Sequence, residues 1–492
     1  MTDAFESSPS MRALSEFRRE LSAVVPQEVD LLSIERRVQE LVNAVGAELM
    51  ATAMQRADAP EPEVVINGEV WGNRRTVKAT YVTMFGPVEV PRGTFQRSGR
   101  GKVAVPMELR SAIVEGAYTP RVARVMSRAV GLMPSEEAEG FLDEVGVAKV
   151  SVSTLHRVPR AMAARYEAHR VEIEPAVRQG DPIPAGTATI QVALDGVMVP
   201  QDGEYTRPRG RKTDSPEPPR HERRYGPSTT RATAANDRSS GRPWHEAAVG
   251  TVSFYDAEGR RLKTTYLGEM PVPEKAVLVR RLTEETLAVV GERPDVNVCF
   301  ASDGAIPQWN ALGGIHAALP RSFTGHVMFL LDLFHVTEHL QKAANAIYGT
   351  ESAEQRASAR TASENWKTIL ENHDDGPRRV LKALRYQRDK LSAKRRKEVS
   401  QVIKYVAQHA AADRMAYAEA ERRHYPRGTG VTEAAAKTLV GVRMKRAGAR
   451  YSQHGGQTIL IFRSAVLSGR FHALSAHLEA TYTASVVTKN AA

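Results

Sequence analysis

Apolar and polar positions alternate with different periods along this chain. Within residues 1–58, Leu31, Leu32, Ile34, Val38, Leu41, Val42 and Val45 recur every three or four positions and predict a helix with one apolar stripe. Such a stripe packs on its own domain or joins two copies of the chain. Residues 62–96 change to strand character, with Thr80, Val82, Val88 and Val90 set around Phe85-Gly86-Pro87, which predicts a small hairpin ending at Pro91. Helices return from residue 105. Residues 135–146 and 150–158 read as two helices around a Gly-containing turn, the second opened by Ser or Thr caps. A helix-turn-helix has this layout and would set Ser153, Thr154 and Arg157 at the start of a helix entering the DNA major groove; a plain helical hairpin has it too.

Two later apolar runs are too short for helices. Ile190-Gln191-Val192-Ala193-Leu194 stops at Asp195-Gly196, and Val296-Asn297-Val298-Cys299-Phe300-Ala301-Ser302 stops at Asp303-Gly304. Each predicts a buried strand ending in an Asp-Gly turn, where an Asp commonly serves only the turn. Strands are also expected over 247–255 and 262–267, joined by Asp256-Ala257-Glu258-Gly259, and over 327–331 leading into Asp332-Leu333-Phe334-His335. Helices are expected over 274–290 and 307–318. The order β, β, β, α, β, α, β is that of an RNase H-like sheet, in which the first and fourth strands are neighbours, so Asp195 and Asp303 can meet. Residues 353–425 read as wholly helical and charged, a helical insertion.

The expected fold class is therefore α/β: an RNase H-like catalytic core with a helical insertion, preceded by a mostly helical N-terminal DNA-binding region with a small β element. In residue terms, 1–60 holds N-terminal helices with an oligomerising option, and 61–180 the β element and the helix-turn-helix-like region. Residues 187–352 and 426–480 form the core, 353–425 the insertion and 202–243 a basic flexible loop.

Composition adds a partner. The chain has 492 residues, 42% hydrophobic content, a formal net charge of +11 and a sequence pI near 9.6. That charge favours a polyanion, because Lys and Arg gain affinity by releasing counterions from phosphates. Residues 207–242 carry ten Lys or Arg against four acids, and residues 378–397 carry ten against Asp389 alone, too lopsided for helix-stabilising pairs. A single cysteine, Cys299, excludes an internal disulfide and reads as a core residue. With no signal segment and no run of about 18 apolar residues, a cytoplasmic, nucleoid-associated protein is expected, without membrane contact.

A third carboxylate follows the insertion. Glu433 falls in the first turn of a helix that Thr429 or Thr432 can cap, where the helix dipole favours an anion. Its neighbours Lys437, Arg443, Lys445 and Arg446, with no acid among them, suit a phosphate backbone. Phosphodiester chemistry uses two divalent cations, and Mg²⁺ needs only two or three carboxylates beside its waters. On this reading Asp195 bridges both ions while Asp303 and Glu433 each hold one, with Mn²⁺ able to substitute. A competing motif, His335-Val336-Thr337-Glu338-His339, fits the H-x-x-E-H zinc metalloprotease pattern but names no third ligand.

Several ordered motifs between residues 60 and 475 carry a family resemblance. Leu194-Asp195-Gly196, Trp244-His245-Glu246-Ala247 with Val249-Gly250, Ala301-Ser302-Asp303-Gly304-Ala305, Leu331-Asp332-Leu333-Phe334-His335, and Glu433 through Lys437 to Met444-Lys445-Arg446-Ala447-Gly448 resemble bacterial insertion-sequence transposases of the DDE type, in particular the ISKra group. The resemblance implies binding to terminal inverted repeats, metal-dependent cleavage and strand transfer, a homo-oligomer on double-stranded DNA, and Asp195, Asp303 and Glu433 as the triad. It places Asp332 and His335 beside that triad. Many relatives have a Cys-rich zinc element before the core; this chain has no Cys pair, so residues 62–96 must fold without zinc. A transposon-derived DNA-binding protein that has lost catalysis is the alternative.

Overall fold

In a computed structural model, the described residues are 8–23, 29–97, 101–146, 149–201, 244–271, 275–446 and 449–488. The expected basic loop, 202–243, lies outside them, as do Ala447 and Gly448. Over the described residues the chain is mixed α/β with two five-stranded sheets. Its contacts group into two units, Met1–Gly180 with Gly469–Ala492, and Asp181–Ser468. None of the described helices is long and apolar enough to cross a membrane.

In the first unit, helices Pro9–Ala23 and Leu31–Ala57 precede β1 (Glu63–Ile66), β2 (Glu69–Thr83), β3 (Gly86–Gln96) and β4 (Val103–Ala104). The expected hairpin is β2–β3, and Gly86 turns it at φ +101°, a conformation open to glycine. Pro91 does not end it. Pro91 pairs with Lys78, and β3 continues to Gln96. A strand from the far end of the chain, β10 (Val486–Thr488), pairs with β1 and completes an antiparallel sheet in the order β10-β1-β2-β3-β4.

The expected apolar stripe divides. Leu41 is buried, whereas Leu31, Leu32, Val38 and Val42 are exposed. The helix meets its own domain through Ala47, Met50, Ala51 and Met54, which pack with Tyr81, Val88 and Val90. Both helices expected around residue 145 form, as Ser135–Glu144 and Val152–Gln179, and they pack with Pro120–Leu132. Ser151 caps the second through Thr154 N. Helix Phe471–Ala480 also packs here, with Glu479 paired to Arg124 and Arg165 bonded to Thr481. Residues 469–480, assigned above to the core, therefore belong by contact to the first unit.

The second unit is built on β5 (Thr189–Pro200), β6 (Trp244–Tyr255), β7 (Arg261–Glu269), β8 (Asn297–Ser302) and β9 (Val327–Leu331), ordered β7-β6-β5-β8-β9. The strands β5, β6 and β7 run antiparallel, and β5, β8 and β9 run parallel. Ile190, Gln191, Val192, Ala193 and Leu194 are all buried, because helices cover both sheet faces. A side chain at Gly250 would meet Leu278 and Leu282 of helix Ala276–Glu292, whereas one at Gly268 would meet Leu439 and Leu460 from the C-terminal helices. Gly268 lies opposite Val249, and Val249 opposite Asp195. Directly opposed residues share a face, so Asp195 points to the C-terminal helices' side.

Asp195 does not end a strand. β5 continues through Asp195-Gly196 to Pro200 in unbroken register with β6, which holds the dipeptide extended. What stops near Asp195 is the pairing of β5 with β8, whose last partners are Ala193 and Ala301. The insertion is helical, as Ala353–Asn372, Gly376–Arg388, Ala393–Ala411 and Tyr417–Arg422, and its Trp366, Leu370, Leu384, Ile403 and Val406 join the same core as β5 and β8.

Candidate active site

Register brings the first two acids together. Two residues beyond the Ala193–Ala301 pair stand Asp195, still within β5, and Asp303, at the bend just past β8, and both line one cleft. The third acid arrives on a loop with many anchors. Gln191 donates to the Gly428 carbonyl at 3.0 Å, Leu333 N donates to the Arg427 carbonyl at 3.1 Å, and the Thr251 and Thr432 hydroxyls meet at 2.7 Å. Asp332, only 2% exposed, caps helix Leu333–Tyr348 by accepting from Phe334 N, and it also accepts from the amide and hydroxyl of Thr429. Thr429 stands at the start of helix Gly430–Ala435, which carries Glu433 in its first turn.

Leu194, Asp195, Asp303, Phe334, His335, Glu338, Thr429 and Glu433 line one cleft of about 190 Å³. Burial, and then the negative charge of Asp303, hold the Asp195 carboxyl above its ordinary range, against the opposing effects of the Gly196 N–H bond and of Lys275. Each acid also has a protein partner. Asp195 accepts from Gly196 N at 2.6 Å, Asp303 from Ala305 N at 3.1 Å, and Glu433 from Lys437 Nζ at 2.8 Å. Among the described residues no three His, Cys, Asp or Glu side chains converge on one point that could hold a metal ion. The donor set nonetheless fits a hard cation, with three carboxylates in one cleft, of which the half-buried Asp195 is disfavoured in its charged form. Binding would require these side chains to leave their present partners.

The zinc pattern does not assemble. His335 lines the cleft, its buried Nδ1 3.7 Å from Asp332 and without a hydrogen bond. His339 instead stacks its ring on Tyr405, 4.0 Å between centroids and 22° from parallel. The buried Cys299 thiol is pushed up to about 12 by desolvation, which removes it as a nucleophile.

The expected basic stripe also divides. Lys437, Lys445 and Arg446 are exposed, but Arg443 is 2% exposed and cannot reach a phosphate. The spacing gives the reason: Arg443 stands three and four residues beyond the buried Val440 and Leu439, on the face that Thr432, Ala435, Ala436 and Met444 also bury. In the first unit Ser153 is exposed and Thr154 half-buried. Arg157 lies over Tyr118, bonds its hydroxyl at 2.9 Å and approaches Glu115.

Two neighbours of the acids, Glu246 from one of the motifs quoted above and Tyr405, have no role assigned by the sequence alone. Glu246 packs so closely on Gly196 that a Cβ there would lie 1.6 Å from its Oε1, and it pairs with Lys275 at 3.2 Å. Tyr405 donates to the Asp303 carbonyl at 3.2 Å. The chain matches no protein-family model and no curated protein.

Proposed function

We propose that this protein is a DDE-type transposase that binds the terminal inverted repeats of an insertion sequence and catalyses metal-dependent DNA cleavage and strand transfer. One observation carries the reading: Asp195, Asp303 and Glu433, separated in sequence by a basic segment and a helical insertion, line a single cleft. The strand order β7-β6-β5-β8-β9, antiparallel from β7 to β5 and parallel from β5 to β9, supports an RNase H-like core.

Asp195, Asp303 and Glu433 would hold Mg²⁺, as two ions, or Mn²⁺ in its place. Bound there, the ions supply charge stabilisation to the attacking and leaving oxygens of a phosphodiester. The protein's own groups prepare that site. The β5–β8 register presents two carboxylates side by side, and Asp332 fixes the loop that presents the third. Lys437 holds the Glu433 carboxylate at 2.8 Å, and with Glu433 on a cation it would be free to face the phosphate backbone beside Lys445 and Arg446. End recognition falls to residues 61–180, with Ser153, Thr154 and Arg157 at the start of the second helix. The working form is a homo-oligomer on DNA in the nucleoid.

Two measurements test this reading. Purified protein should cut duplexes carrying the ends of its own element when Mg²⁺ is added and not when it is chelated; tight end binding without cleavage would favour an inactive descendant. The second concerns salt. Lys445→Ala and Arg446→Ala should each lower the slope of log affinity against log salt by about 1, while Arg443→Ala should leave the slope alone and lower the melting temperature. Equal slopes for wild type and the Lys445 and Arg446 variants would remove this helix from the interface.

A further inference from the structure

Tyr405 belongs to the insertion, near the end of helix Ala393–Ala411, yet it touches the second acid. Its hydroxyl donates to the Asp303 backbone carbonyl at 3.2 Å. The next residue, Gly304, has φ +113°, and a Cβ on it would lie 2.9 Å from the Tyr405 oxygen and 3.2 Å from the ring. The turn that aims Asp303 is therefore bonded to the phenol, and the phenol leaves no room for a side chain at residue 304. The ring is held in turn: His339 stacks on one side at 4.0 Å, and His409 meets it edge-on at 4.8 Å. His339 lies one helical turn from His335, which lines the cleft.

We propose that Tyr405 is a positioning residue through which the helical insertion fixes the Asp303-Gly304 turn and so sets how the Asp303 carboxylate enters the cleft. The consequence for metal binding rests on the function proposed above; the hold on the turn does not. An unrestrained turn at φ +113° lets the carboxylate sample directions away from Asp195, and each such direction weakens a site shared by the two acids. The insertion is thereby part of the catalytic unit's geometry.

Tyr405→Phe isolates the hydroxyl, since it keeps the ring and its His339 stack. A net hydrogen bond corresponds to roughly a three- to tenfold change in an equilibrium. Amide exchange at Gly304 and Ala305 should accelerate about that much, with the melting temperature lowered by only about 1–5 °C. Mn²⁺ binding followed by electron paramagnetic resonance should weaken by the same factor. The Mg²⁺ concentration for half-maximal cleavage should rise in parallel, more than the rate at saturating Mg²⁺ falls. Unchanged exchange at Gly304 would overturn the proposal whatever happens to activity. Faster exchange in a protein whose wild type neither binds Mn²⁺ nor cuts DNA would leave Tyr405's role standing and overturn the proposed function instead.

Discussion

Asp195→Asn is expected to abolish Mg²⁺-dependent DNA cleavage, by on the order of 10³-fold or more, while raising the melting temperature measured without divalent ions at pH 7. The two effects share one cause. Asp195 stands in the cleft with its charge desolvated and beside Asp303, so its carboxyl lies above the ordinary carboxylate range. A carboxyl raised in the folded state contributes stability that is fully present below its unfolded pKa and is lost as pH rises through its folded value. At pH 7 the ionised group is a net burden on the fold, and the amide removes that burden while its oxygen still accepts from Gly196 N. The gain should shrink as pH falls toward the carboxylate range. Near-normal cleavage by Asp195→Asn would exclude Asp195 from the chemistry, and a lower melting temperature at pH 7 would mean its charge is compensated in the fold.

Asp332→Ala should produce the largest loss of stability among the cleft substitutions, about 3 kcal/mol or more, or roughly 6–12 °C in melting temperature. Asp332 caps one helix through Phe334 N and binds both donors of Thr429, in a position only 2% exposed. Alanine leaves those donors without acceptors and unties the loop that ends in Glu433. Cleavage should fail even at temperatures where the variant is folded, because Glu433 is no longer presented. Thr429→Val should reproduce a fraction of both effects, about 1 kcal/mol, by removing one hydroxyl. A wild-type melting curve for Asp332→Ala would show that the clamp does not hold the loop. Asp332 next to His335 resembles a reacting pair in sequence, but its oxygens are already occupied by protein donors.

Much of this was legible in the sequence, for identifiable reasons. Strands buried on both faces leave continuous apolar runs, so β5, β8 and β9 were visible, and the acids beyond those runs stood out. Asp195-Gly196 misled because the dipeptide favours turns in isolation, whereas pairing with β6 keeps it extended. The exposed stripe of helix Leu31–Ala57 misled because periodicity reports an apolar face without saying what covers it. The charge of Arg443 suits a phosphate, but its spacing sets it three and four residues beyond Val440 and Leu439 on the buried face. The anchors of the Glu433 loop were invisible for another reason. Gln191, Thr251 and Asp332 act through one or two hydrogen bonds each to residues about 100 to 240 positions away, and no local pattern records such a partner. Strand β10 has only three residues, too few to declare a period.

That last strand has a consequence for synthesis. Because β10 and helix Phe471–Ala480 complete the unit that begins at the N-terminus, the chain leaves that unit at residue 180 and returns at 469. The segment 181–468 is continuous and can close while translation proceeds. The unit begun first must wait, with the β1 edge unpaired on that side, until residue 488 leaves the ribosome. A nascent chain would thus carry a finished cleft before its first sheet is sealed.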